Sequence, residues 1–231
     1  MKHLVDIKKW KRAYLYDFYG SMEDPLCGVT VRVDCTRSYN EARERGISFF
    51  LHYLYNILVA VDRLEEMHYR IVDGKVYRYD RIDAGPTIGR EDGTFGAGYF
   101  VFYSNEDRFI SEAEKEISRV KSAEGMALET HGEDPNLIFF SAVPWFDFSD
   151  MKHPVNPGKD AGCTRISTGK LSDVIVPEGF GNITGKSTDG LDLRHGAVEI
   201  RKQMSMNITF HHGLMDGYVV NEFLKELARF F

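Results

Sequence analysis

The sequence predicts an α/β fold, a two-layer sandwich in which helices pack on a mixed, mostly antiparallel sheet. Three observations lead there. Segments near both ends of the chain alternate apolar and polar residues with period two. Other segments repeat apolar residues at helical spacing. The two kinds are interleaved without a regular strand-helix-strand rhythm, so an all-parallel sheet is not expected. With 231 residues, 43% hydrophobic and 13% aromatic, the chain can bury one substantial core, and residues 1–231 are read as a single domain.

Taken in order, Cys27 to Cys35 sets Val29, Val31, Val33 and Cys35 on one face and Thr30, Arg32 and Asp34 on the other, the pattern of a half-buried strand. From Ile47 to Met67, Phe50, Leu51, Leu54, Ile57, Leu58, Val61 and Leu64 recur at helical spacing and predict a long core helix. Tyr69 to Val72 and Lys75 to Tyr79 flank Asp73-Gly74, a pair suited to the positive φ angles of a two-residue hairpin turn. The glycine-rich residues 84–98 read as loop, Tyr99 to Tyr103 as a short strand, and Phe109, Ile110, Ala113, Ile117 and Val120 as a helix. Leu137 to Val143 is an apolar run ended by Pro144 and reads as a buried strand. Residues 171–199 have little periodicity and are expected to form a long loop or an extended hairpin. Met204 to Phe210 alternates again, and Val220, Phe223, Leu224 and Leu227 predict a closing helix.

The formal charge of −6 is modest, and Lys and Arg are dispersed instead of forming a block that would track nucleic-acid phosphates. The three cysteines, Cys27, Cys35 and Cys163, are odd in number and contain no CxxC pair, which argues against a disulfide framework or a zinc site and for a reducing cytoplasm. The opening MKHLVDIKKWKR has no apolar signal core, and no stretch approaches the ~20 apolar residues of a membrane span. A soluble, cytoplasmic protein is expected. The sequons at Asn182 and Asn207 are then incidental. Residues 179–187 approximate a phosphate-binding loop, but Phe180 stands where its first glycine is needed.

The chemistry gathers after the last alternating segment. Met204, Met206, Ile208 and Phe210 carry its apolar face, and His212 continues that stripe. A histidine there is expected to be partly desolvated and neutral, as a general base must be. His211 falls on the opposite face and is the weaker candidate, and the divergence of adjacent strand residues disfavours a shared metal. Asp216, just before the closing helix, is suited either to cap it or to hold an arginine. Position alone does not separate a catalytic histidine from a satisfied core one.

His211-His212-Gly213-Leu214-Met215-Asp216-Gly217, after a strand and before a helix, resembles the HHxxxDG signature of the chloramphenicol acetyltransferase family. A bare HxxxDG also occurs in dihydrolipoamide acyltransferases and condensation domains, but more than this motif is similar. Asp6-Ile7-Lys8-Lys9-Trp10-Lys11-Arg12 resembles the family's N-terminal D-hydrophobic-x-x-W-x-R, Phe18-Tyr19 its aromatic pair, and Ser141-Ala142-Val143-Pro144-Trp145 its SxxPW segment. The similarity spans nearly the whole chain in the family's order.

The resemblance implies an acetyl-CoA-dependent O-acetyltransferase that moves acetyl from the thioester to an acceptor hydroxyl without an acyl-enzyme. His212 takes the role of base and Ser141 that of donor to the tetrahedral oxyanion. Asp216 and Arg12 support the site as an ion pair. Ser167 and Lys170, within Arg165-Ile166-Ser167-Thr168-Gly169-Lys170, match the segment beside the coenzyme, and Tyr19 and Phe95 match aromatic acceptor contacts. It further implies a homotrimer with active sites between subunits, no metal, and a small hydroxyl acceptor, of which chloramphenicol, with antibiotic resistance as the outcome, is one. The alternatives are a different alcohol, or a non-catalytic trimeric binding protein that retains the fold. This sequence departs from the family at Ser48, where a lysine often precedes the helix start. It departs also at Phe139, at Met151 to Val155, where the family is more apolar, and in an apparent insertion at about 171–199.

Overall fold

The computed structural model describes residues 1–128, 135–155, 162–178 and 198–231. The strands are β1 (Lys2–Leu4), β2 (Leu26–Asp34), β3 (Tyr69–Val72), β4 (Lys75–Tyr79), β5 (Asp83–Gly89), β6 (Phe95–Ala97), β7 (Leu137–Ala142), β8 (Arg165–Thr168), β9 (Ser172–Pro177) and β10 (Val198–His211). The α-helices are α1 (Ala13–Gly20), α2 (Thr36–Arg45), α3 (Phe49–Asp62), α4 (Glu106–Ser122) and α5 (Gly217–Leu227). The main sheet runs β2-β10-β8-β7-β5-β6, with β9 added to the first half of β10, and a small sheet runs β1-β4-β3. Pairing is parallel between β5 and β7 and between β7 and β8, and antiparallel elsewhere in the main sheet. This is the mixed α/β sandwich the sequence predicts.

Helix α3 is the hydrophobic centre. Leu51, Leu54, Ile57, Leu58 and Val61 are each at most 1% exposed. The helix lies on the sheet face formed by Phe140, Ile166, Met206 and Ile208, where the Tyr53 and Phe140 rings are 6.1 Å apart and Tyr53 Oη meets Thr168 Oγ1 at 3.1 Å. Ser48 caps it through a 3.4 Å bond from Leu51 N–H. Ser48, which the resemblance marks as a departure, thus serves as a helix cap.

The Asp73-Gly74 hairpin forms as expected, with φ of 50° and 69° at its two central residues. Three expectations are corrected. The long helix stops at Asp62 and passes into a 3₁₀ turn, Glu65–His68. Residues 84–98 contain β5 and β6 instead of loop, because Ala84, Gly85 and Pro86 are taken up into the sheet against Ile138, Phe139 and Phe140. Residues 99–103 join the sheet only through the Ala84–Phe100 bridge. Of the two forms expected for 171–199, its described ends take the extended hairpin, Ser172 opposite Gln203 through Pro177 opposite Val198. Residues 179–187, the approximate phosphate loop, lie outside the described residues. No helix among the described residues is long and apolar enough to cross a membrane.

Candidate active site

The turn after β10 is built by its own backbone. Leu214 and Met215 N–H groups both donate to His211 O, at 2.9 and 3.1 Å, and His212 N–H donates to Pro25 O at 2.8 Å. Gly213 is required by close approach, since a Cβ there would stand 2.9 Å from Tyr16 Cα. Asp216 then performs both roles its position allowed. Its Oδ1 caps α5, accepting from Tyr218 N–H at 3.0 Å and Val219 N–H at 3.1 Å, while Oδ2 accepts from Arg12 Nη1 at 2.9 Å. Arg12, 7% exposed, is brought there by the 3₁₀ turn Ile7–Lys9, capped by Asp6, and by Trp10, whose ring packs edge-on against Tyr69 at 5.1 Å.

Burial alone would raise the Asp216 carboxyl, but the Val219 N–H, the Arg12 guanidinium and the Tyr218 N–H outweigh it and hold the group below the usual carboxylate range. Truncating Asp216 removes a cap and strands a buried cation, for which losses of about 3–5 kcal/mol are typical. We therefore expect Asp216→Ala to lose about 3 kcal/mol or more by urea unfolding. A loss under about 1 kcal/mol, the range of an exposed pair, would contradict this account.

The two histidines part as strand alternation requires, but their burial is the reverse of the expectation. His211 is 4% exposed, with its Nδ1 accepting from Gly213 N–H at 3.1 Å and its ring 6.2 Å from that of Tyr16. Burial, and secondarily the charge of His212, push its pKa down to about 4. His212 is half-buried and stacks flat on Tyr19, ring centroids 4.0 Å apart at 4°. Its Nδ1 is enclosed without a hydrogen-bond partner among the described residues, which leaves Nε2 as the nitrogen able to meet one. His211 is enclosed on the side of β10 that the polar pattern marked as open, with the Tyr16 ring and the Gly213 N–H of the following turn against it.

A pH dependence follows. Folded His211 stays neutral down to about pH 4, whereas in the unfolded chain it titrates near its ordinary ~6.5. Between these values the unfolded chain binds the extra proton, so stability is full above about pH 6.5 and falls toward pH 4 with a slope approaching ~1.4 kcal/mol per pH unit. Asp216, held low when folded, adds a further loss at more acidic pH. Urea midpoints at pH 7 and 5 should differ in wild type and converge in His211→Gln; an unchanged gap would assign the dependence elsewhere.

The remaining predicted residues stand at the other end of the sheet. Register aligns Thr30, Asn207, Ser167 and Ser141 in one row across β2, β10, β8 and β7, so all four side chains share a face. Ser141 is half-buried, and its hydroxyl has no hydrogen bond among the described residues. Lys170 is exposed just beyond β8, its N–H donating to Phe146 O at 3.0 Å. Phe95 is 53% exposed on β6, level with the Ser141 end of the sheet; it is not a core residue. Ser141 lies level with Asn207, five residues before His212. That sets the two about 17 Å apart along the strands and about 10 Å across them. Within one chain two separate groups therefore stand apart: His212 with Tyr19, Arg12 and Asp216, and Ser141 with Ser167 and Lys170.

The alternation of β10 marked Ser205, Asn207 and Thr209 as a polar face but gave no sign that it is covered. Residues 147–153 lie over it as a strap. Asp147 bonds Ser205 and Arg32, Phe148 is buried against Gly169, Asp150 reaches Thr30 at 3.4 Å, and His153 Nε2 meets Ser167 Oγ at 3.2 Å. His153 was legible in the sequence only as a departure from an apolar segment.

Comparison with known proteins finds relatives over nearly the whole chain. Residues 2–164 match the profile of a family described as chloramphenicol acetyltransferase. A chloramphenicol acetyltransferase of Proteus mirabilis is 21% identical over 228 residues, covering 98% of this chain and 93% of its own. Chloramphenicol acetyltransferase 3 of Escherichia coli is 23% identical over 224 residues, covering 96% and 93%. A solved chloramphenicol acetyltransferase structure superposes with a TM-score of 0.81 at 28% identity, covering 100% of this chain and 99% of that one.

Proposed function

Because the chain belongs to the chloramphenicol acetyltransferase family and is an acyltransferase, we propose that it transfers acetyl from acetyl-CoA directly to the hydroxyl of a small acceptor, with His212 as general base. The observation that carries this reading is the clamp across 204 positions of sequence, Arg12 on Asp216 at 2.9 Å. It fixes the turn that follows His212, while Tyr19 holds the ring flat and Nδ1 is enclosed. An imidazole held in this way meets an acceptor hydroxyl through Nε2.

In the proposed reaction Nε2 takes the hydroxyl proton as the oxygen attacks the thioester carbonyl carbon. The carbonyl π electrons move onto oxygen, which Ser141 Oγ–H receives as a hydrogen-bond donor. Collapse of the tetrahedral species breaks the carbon–sulfur bond, and the imidazolium returns the proton to the leaving thiolate. Arg12 and Asp216 are not a relay, since Asp216 is engaged by Arg12 and by α5. Ser167 and Lys170 are assigned to the coenzyme side, and Tyr19 and Phe95 to the acceptor.

The separation of His212 from Ser141 within one chain supports a site shared between copies, and a homotrimer is the assembly proposed. One continuous domain with the 171–199 segment as an insertion is part of the same reading. The test is release of free coenzyme thiol from acetyl-CoA with a panel of alcohols that includes chloramphenicol, alongside sedimentation equilibrium. Turnover on at least one alcohol by a trimer is expected. A trimer inert toward every alcohol would favour the non-catalytic binding protein, and an active monomer would overturn the shared site.

A further inference from the structure

We propose that Arg90 is a positioning residue for acceptor recognition: from the helix side of the sheet it fixes the edge strand β6, and with it the place of the Phe95 ring on the opposite side. The inference rests on the reading of Phe95 as an acceptor contact. β6 is the last strand of the main sheet, three residues long and paired with β5 alone. So short an edge does not by its own ladder hold a ring that is 53% exposed. Register sets where that ring lies. Gly85 pairs with Phe139 and Gly89 with Phe95, so Phe95 shares the face of Phe139 and Ser141. It stands about 10 Å across the strands and about 7 Å along them from Ser141, a separation that a small acceptor spans.

Arg90, directly after β5, supplies the hold. Its Nη1 donates to Phe95 O at 3.0 Å and to Thr94 Oγ1 at 3.3 Å, its Nε to Val120 O at 3.0 Å and its Nη2 to Gly125 O at 2.8 Å. One guanidinium thus joins the end of α4, the segment that follows it and the strand that carries Phe95. Thr94 Oγ1 is free to accept because its own proton goes to Asp92 Oδ1 at 2.7 Å. At the far end of β6, Ala97 N–H donates to Met126 O at 2.8 Å. Gly96, whose missing side chain would point away from Phe95, shows how closely the guanidinium lies beneath the strand. A Cβ there would stand 2.6 Å from Arg90 Nη2 and 2.8 Å from Val120 Cγ1. A planar fork of donors makes these four bonds together, whereas an ammonium on a flexible stem does not reproduce their geometry.

The experiment compares Arg90→Lys, Gly96→Ala, Phe95→Ala and the Arg90→Lys/Phe95→Ala double variant by steady-state thiol release with the alcohol panel, alongside a crystal structure of Arg90→Lys. We expect Arg90→Lys and Phe95→Ala each to raise the acceptor KM about tenfold with the acetyl-CoA KM little changed, since the grip on one substrate alone is lost. Gly96→Ala keeps the Arg90 side chain but forces it off the strand, and should have the same effect. The double variant should bind the acceptor no more weakly than Phe95→Ala. In the Arg90→Lys crystal Phe95 should be displaced from Gly89 while Ser141 keeps its place. A fall in kcat with both KM values unchanged, the mark of a merely destabilised fold, would overturn the inference, as would additive losses or an unmoved Phe95. If Phe95→Ala leaves the acceptor KM unchanged, or wild type turns over no alcohol, the acceptor reading fails and this inference with it. If Phe95→Ala weakens the acceptor while Arg90→Lys does not, only the role of Arg90 fails.

Discussion

His212→Ala is expected to lower kcat by about 10²- to 10⁴-fold, the range that a positioned general base contributes. The fold should survive it. His212 is half-buried at the end of β10, and the turn beyond is held by His211 O, Gly213 and the Arg12–Asp216 pair, none of which uses the His212 ring. The loss should therefore appear in thiol release at an unchanged unfolding midpoint. His211 variants supply the contrast. Its Nδ1 is occupied by Gly213 N–H and its ring is enclosed, so His211→Gln should lose stability more than chemistry. If His211→Gln abolished turnover at full stability while His212→Ala left it intact, the two roles would have to be exchanged.

Ser141→Ala is expected to lower kcat by about 10²- to 10³-fold with KM nearly unchanged, because an oxyanion donor acts in the transition state and not on bound substrate. Its hydroxyl is half-buried and makes no hydrogen bond among the described residues, so its removal leaves no partner unsatisfied and stability should be unaltered. The two variants also test the shared site together. His212→Ala subunits keep the serine and Ser141→Ala subunits keep the histidine. In trimers formed by random mixing, about a quarter of the interfaces should join an intact histidine to an intact serine. Co-expression should recover about that fraction of wild-type activity, whereas a site contained in one chain would recover none.

Elements whose pattern is local were legible in the sequence. β2, β10, the Asp73-Gly74 hairpin, α3, α4, β7 and α5 each carry their period or their turn residues within their own span. Elements that exist because of a neighbour were not. β5 reads Asp-Ala-Gly-Pro-Thr-Ile-Gly, with a proline that ordinarily argues against an inner strand. It is a strand because β7 pairs with it on one side and β6 on the other. α1 buries no residue in the single chain and leaves Tyr14 and Phe18 exposed, so no apolar stripe announced it. α2 is almost wholly polar and is marked chiefly by Gly46, whose φ of 66° ends it. β8 has only four residues, all buried, too few to show a period.

The site divides in the same way. By itself the sequence determined the order of His212, Ser141, Asp216 and Arg12 along the chain. Alternation, which depends only on backbone geometry, also determined that His211 and His212 point apart. Whether Asp216 caps a helix or holds an arginine was decided by tertiary structure, because the answer, both, required Arg12 to arrive from 204 positions away. Tertiary structure also decided which histidine is enclosed. A strand pattern distinguishes two faces but not what covers them, and β10 from Met204 to His211 is buried on both. Helices cover one face, and the 147–153 strap with the wrapping of α1 covers the other. Burial is a property of neighbours brought from elsewhere in the chain, so the desolvation expected at His212 fell on His211.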